Sequence, residues 1–240
     1  MVETEGGRLK ILGVGPEAIG TAASILRSGG IVLYPTETFY ALGAMPSIEG
    51  AVEKIYEIKG RDGRKPLPLI ASDIDAILSV ASEWPEAAGT LARSFWPGPL
   101  SLIVPAGPHL PAVVHAGTGK VAVRISSNEV ASLLARDCGG LIVSTSANLA
   151  GEPPAASAGD AGAGLLASVE AVLDAGNLPG GLPSTVVDVA VHPAKLVRPG
   201  KISWDDILFA LEHKLDPGNG RLGKDRRVHL SEVHLPGTRR

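Results

Sequence analysis

Cysteine is almost missing from this chain: Cys138 stands alone among 240 residues. One thiol allows neither a disulfide framework nor a cysteine-based zinc site within the chain. Aromatic residues are scarce at 4%, which argues against a protein that stacks nucleic-acid bases on its rings. A basic surplus is also absent. Twenty-two Lys and Arg against 25 Asp and Glu leave a formal charge of −3, whereas a protein living on polyanions carries excess cations. No apolar run approaches the ~18 residues of a membrane span, and residues 1–10 are polar. The expectation is therefore no signal peptide, no membrane, and a soluble cytoplasmic protein.

What is present is a core of Ala, Val, Ile and Leu within a 45% hydrophobic composition, punctuated by 30 Gly and 19 Pro. Turns and close backbone approaches follow from the last two. Residues 16–28 open on Pro16 and stop at Gly29-Gly30, the signature of a helix. Strands are expected at 31–34, 100–104, 120–125, 141–145, 171–174, 185–189 and 195–198. Further helices are expected over 48–58 with Ser47 as cap, after a Ser72–Asp75 capping box, over 86–95 and 128–137, and from about 205 to 214 with Ser203 as cap. The mixture predicts one α/β domain, 10–212, around a twisted mixed sheet flanked by helices. Residues 213–240 read as a flexible basic tail.

Chemistry concentrates where strands end. Tyr34-Pro35-Thr36-Glu37-Thr38 follows the first long strand, at the carboxyl end where open α/β sheets hold ligands; a simple hydroxyl-stabilised turn is the equal alternative. Five of the seven residues from Lys59 to Lys65 are charged, four of them cationic. They suit a triphosphate, or only the end of a helix dipole. Ser144-Thr145-Ser146-Ala147-Asn148 puts four hydrogen-bonding side chains in five residues, so it either builds a turn or lines a polar pocket. Arg124 and Arg198 end strands, where surface ion pairs are the plain alternative, and Ser184 precedes another strand.

Familiar motifs fail. Gly117-Thr118-Gly119-Lys120 lacks the upstream Gly and the following Ser or Thr of a P-loop. Gly13-Val14-Gly15 lacks the third dinucleotide glycine. The six histidines show no zinc spacing, and there is no G-x-S-x-G elbow.

Taken in order, GGIVLYPTETFYALGA (29–44), IYEIKGR (55–61), FWPGPLSLIVPA (95–106), VAVRIS (121–126), LIVSTSANLAGEPP (141–154), PSTVVDV (183–189) and LVRPGKIS (196–203) resemble the YrdC-like family of threonylcarbamoyl-AMP synthases. The signature pair K-x-R and S-x-N stands as Lys59/Arg61 and Ser146/Asn148. The resemblance implies a YrdC-like fold enclosing a cationic cavity, in the short form without the further C-terminal domain of the long form. It implies that Lys59 and Arg61 are catalytic and, with Lys65, Ser146, Asn148 and Arg198, bind ATP. It places Thr36, Arg124, Ser144 and Ser184 at L-threonine. Two departures are Phe39 in place of Val and Ala41 in place of Gly; they resemble a paralogous branch that tends to lack the intact S-A-N.

The implied reaction joins L-threonine, bicarbonate or CO2, and ATP into threonylcarbamoyl-AMP and pyrophosphate, for a downstream tRNA threonylcarbamoyl-transferase. Mg²⁺ is expected with ATP and without a protein carboxylate cage. An RNA-binding module, a paralogue with another small substrate, and weak RNA binding by the basic tail are the alternatives.

Overall fold

The computed structural model describes residues 3–4, 7–60, 65–149 and 151–213. Arg61 and the expected tail from residue 214 onward lie outside the described residues. A short hairpin joins β1 (Glu3–Thr4) to β2 (Gly7–Arg8), followed by β3 (Lys10–Leu12). Helix α1 (Pro16–Arg27) starts on the proline and ends where Gly29, at φ 83°, lets Gly30 N–H turn back to Ile25 O at 3.0 Å.

The chain continues through β4 (Val32–Pro35), β5 (Tyr40–Ala44), α2 (Glu49–Ile58), β6 (Leu69–Ala71), α3 (Ile74–Leu78), α4 (Glu86–Phe95) and β7 (Leu100–Pro105). A one-turn α5 (Ala112–His115), β8 (Lys120–Ile125), α6 (Glu129–Asp137) and β9 (Leu141–Ser146) follow. Last come α7 (Gly162–Leu166), β10 (Ala171–Leu173), β11 (Thr185–Asp188), β12 (Lys195–Arg198) and α8 (Trp204–His213).

Two caps differ from expectation. Helix α2 begins after Ile48 with no side-chain cap, so Ser47 does not serve. Helix α3 is capped by Asp73, whose Oδ1 accepts from Ala76 N at 2.8 Å. Ser72 instead supports the cap, its Oγ donating to Asp73 Oδ2 at 2.7 Å, while its own N–H is held by Gly140 O, 2.9 Å away. Ser203 does cap α8, accepting from Asp206 N at 3.1 Å.

Ten strands form one mixed sheet in the order β12-β11-β7-β8-β6-β9-β5-β4-β10-β3. One face is covered along its length. There Leu33, Leu42, Leu69, Leu102, Val123, Val143 and Val187 pack with residues of α2, α4, α5, α7 and α8. The other face is covered by α1 and α6 only at one end, over Val32, Tyr34, Ala41, Ile70, Ile142 and Leu173. Strand register carries that second face onward: Ile142 pairs with Ile70, and Ile70 with Arg124. Beyond Ile70 the helices stop, and Arg124 and its neighbours on β7, β8 and β11 line a hollow where a helix would otherwise pack.

Candidate functional site

That uncovered half-face is the floor of a cavity of about 620 Å³, within the range of small-molecule sites. Strand alternation decides what projects into it. From β8 come Lys120, Ala122 and Arg124, from β7 Ser101 and Ile103, and from β11 and its lead-in Ser184, Val186 and Asp188. The β4–β5 loop supplies Thr36, Thr38 and Phe39 as one wall, and the end of β9 supplies Ser144, Thr145, Ser146 and Asn148 as another. Seven of the expected site residues therefore share one hollow: Thr36, Arg124, Ser144, Ser146, Asn148, Ser184 and Arg198.

Lys59, expected at the phosphates, is not among the residues that line this hollow. It is only 4% exposed and sits behind the wall. Its Nζ donates to Ser146 O at 2.5 Å, Asn148 O at 2.8 Å and Asn148 Oδ1 at 3.2 Å. The reason is geometric: α2 ends directly beneath the S-x-N turn, whose carbonyls point inward and require a donor. Ser146 Oγ donates to the same Asn148 Oδ1 at 2.5 Å, and Asn148 Nδ2 donates to Glu152 O at 2.5 Å. The signature pair K-x-R and S-x-N is thus joined through its lysine as a structural unit. Lys65 is exposed and does not line the cavity; its carbonyl is held by the Tyr56 hydroxyl at 3.1 Å.

Thr36 shows that the two readings of its segment are compatible. Its hydroxyl donates to Phe39 O at 2.6 Å, making the turn, while the residue lines the cavity. Arg198 donates to Ser184 O at 2.8 Å and Ser184 Oγ at 3.0 Å, and Ser184 Oγ lies 3.3 Å from Ser101 Oγ. Here the chain crosses itself closely. A Cβ on Gly200 would fall 2.3 Å from Pro183 O and 2.5 Å from Thr185 N.

The ion pairs were less legible. Arg124 is bound by the Glu37 carboxylate, and both side chains are about nine-tenths buried. The other Glu37 oxygen accepts from Ser126 Oγ at 2.6 Å. Burial first, and then the charge of Arg198, hold the Arg124 guanidinium down to about 10, so it remains cationic at neutral pH. Lys120 pairs with Asp188 at 2.9 Å toward the far end of the floor. Sequence reasoning missed Glu37, Lys120 and Asp188. The last two were within reach, since Lys120 is four residues before Arg124 and Asp188 four after Ser184, on the same faces.

At the covered edge of the floor the Tyr34 hydroxyl is fully buried beside Ser144 and Arg124 and, among the described residues, has no partner in full hydrogen-bond geometry. Burial raises it well above the ordinary phenol range. Among the described residues no group of three or more His, Cys, Asp or Glu could hold a metal ion.

A mixed sheet with half of one face left open, floored by guanidinium and hydroxyl groups, defines an α/β protein with a polar small-molecule site. Residues 24–200 match the Sua5/YciO/YrdC family, described as Telomere recombination, and the chain belongs to that family. It is 38% identical over 189 residues to the threonylcarbamoyl-AMP synthase of Pyrococcus abyssi, covering 79% of this chain and 56% of that protein. With the synthase of Alkalilimnicola ehrlichii it shares 44% identity over 140 residues, 58% of this chain and 73% of the relative. The structure of P. abyssi Sua5 complexed with L-threonine superimposes with a TM-score of 0.81 at 36% identity, covering 84% of this chain and 60% of that one. The chain thus spans little more than half the length of its P. abyssi relative. No helix among the described residues is long and apolar enough to cross a membrane.

Proposed function

We propose that this protein is an L-threonylcarbamoyladenylate synthase, a nucleotidyltransferase that makes threonylcarbamoyl-AMP and pyrophosphate from L-threonine, bicarbonate or CO2, and ATP. The observation that carries the reading is the convergence of Thr36, Arg124, Ser144, Ser146, Asn148, Ser184 and Arg198 on one cavity. The names of the relatives and the threonine complex of the P. abyssi protein support it.

In this reading the threonine amine loses a proton and adds to CO2, giving an N-carboxylate. An oxygen of that carboxylate attacks the α-phosphorus of ATP, and the bond to pyrophosphate breaks. Arg124 suits the amino-acid carboxylate, since a guanidinium offers paired donors in one plane. The Ser146–Asn148 wall, with Arg198 opposite, would face the nucleotide, and Arg61 is proposed as a further phosphate ligand. Lys59 contributes by holding that wall in place. No covalent enzyme intermediate is required, so positioning and charge neutralisation carry the catalysis. Mg²⁺ would arrive on the phosphates, offsetting their charge. The two carboxylates near the cavity do not suit a protein cage, since Glu37 and Asp188 are each engaged by a cation.

The product would serve a tRNA-modifying transferase. The test is pyrophosphate release with threonine, bicarbonate and ATP, each omitted in turn. Release should require all three, and release that ignores threonine would end the proposal.

A further inference from the structure

Glu37 sits on the loop between β4 and β5, yet it reaches Arg124 and Ser126 at the end of β8. Three strand spacings separate β5 from β8 in the sheet order, a span of about 14 Å. The loop must therefore fold across the sheet's end to make this contact. Both carboxylate oxygens are used, one on the guanidinium and one on the serine hydroxyl. Ser126 Oγ in turn accepts from Asn128 N at 3.1 Å, which ties the group to the start of α6.

Two consequences follow from chemistry. A buried guanidinium without a counter-charge would turn away from its site or lose much of its solvation without recompense. With Glu37 behind it, Arg124 is held in one orientation and keeps the rest of its donors for the cavity. The same contact pins the loop that carries Thr36, whose hydroxyl is already committed to Phe39 O. Glu37 does not itself line the cavity.

We propose that Glu37 is the positioning residue of the amino-acid subsite: through Arg124 and the 36–39 loop it pre-forms the pocket that receives the carboxylate of the amino acid. The inference rests on the synthase reading and deepens it. A residue of this kind governs one substrate and leaves the other alone, because the nucleotide wall at 146–148 is held separately by Lys59.

The test is calorimetric binding of L-threonine and of ATP, each alone, to wild type, E37Q and S126A, with thermal midpoints. E37Q keeps the shape but removes the charge, and a lost hydrogen bond to a charged group predicts threonine binding weakened about 10-fold or more. ATP affinity should be unchanged. S126A should show the same selectivity with a smaller effect. In an R124Q background, E37Q should cost threonine binding nothing further, as expected of residues that act through each other. Equal losses for threonine and ATP alongside a lowered midpoint would mean a general structural role and overturn the proposal. So would unchanged threonine binding in E37Q, or in S126A should E37Q fail to fold. A wild-type protein that binds no threonine at all would defeat the synthase reading itself, an outcome recognisable before any variant is made.

Discussion

Lys59 illustrates how a residue's neighbours redefine its task. An ammonium 4% exposed and bonded to two carbonyls and an amide oxygen is a fastening for the S-x-N turn. Lys59→Met should therefore lower stability as well as turnover. Stranding part-buried acceptors that had a charged donor predicts a loss of about 1–2 kcal/mol, read from the midpoint of denaturant unfolding. Full stability with activity abolished would return Lys59 to the role of a direct phosphate ligand. Tyr34 predicts the opposite sign. Its hydroxyl is buried and, among the described residues, has no partner in full hydrogen-bond geometry, Ser144 being only nearby, so Tyr34→Phe should leave stability equal or raise it by about 1 kcal/mol, measured in the same way. A clear loss would reveal a partner for that oxygen in solution.

Among the elements, the strands flooring the cavity were legible and some of their neighbours were not. The apolar runs at 100–104, 120–125 and 141–145 and the helix at 86–95 lie where periodicity puts them. Strand β5 escaped notice because Tyr40-Ala41-Leu42-Gly43-Ala44 has weak strand propensity and is buried throughout, so its pairing with β4 and β9 decides its state. Strand β6 has only three residues behind two prolines. The S-x-N cluster was legible as a site because four polar side chains in five residues demand partners. The Glu37–Arg124 pair was not, since nothing local connects residues 87 positions apart.

Gly200 belongs to this scale, because it lets the segment leading from β12 lie against Ser184. Gly200→Ala would put a methyl group 2.3 Å from Pro183 O. The strain predicts a loss of about 1–3 kcal/mol, with turnover falling further because Ser184 and Arg198 must separate. Crystallographic or NMR comparison of the variant should show that corner displaced; an unmoved corner with normal activity would contradict the account.

At the level of the whole molecule, one face of the sheet is sealed by helices and the other only in part. Fold class and the mixed sheet could be anticipated from the alternation of elements, but the uncovered half could not, since it depends on where α1 and α6 stop. The arrangement separates the residues that hold the protein together from those that meet a ligand. Ala122 lies in the middle of the floor, outside both apolar clusters. Ala122→Phe should keep the unfolding free energy within about 0.5 kcal/mol of wild type, as substitutions away from the core do, while threonine and ATP binding, followed by calorimetry, are lost. A variant that unfolds would show the floor to be part of the core after all.

The crossing at Gly200 has a consequence for anyone wishing to splice, tag or permute this chain. Because the backbone near residue 200 is threaded tightly past residues 183–185, a cut or insertion within either of these two segments would free two walls of the binding chamber at once. Within the turn joining β11 to β12, Val189 is tied to Ile103 O, but His192 and Pro193 are exposed, and that is where added sequence would be tolerated.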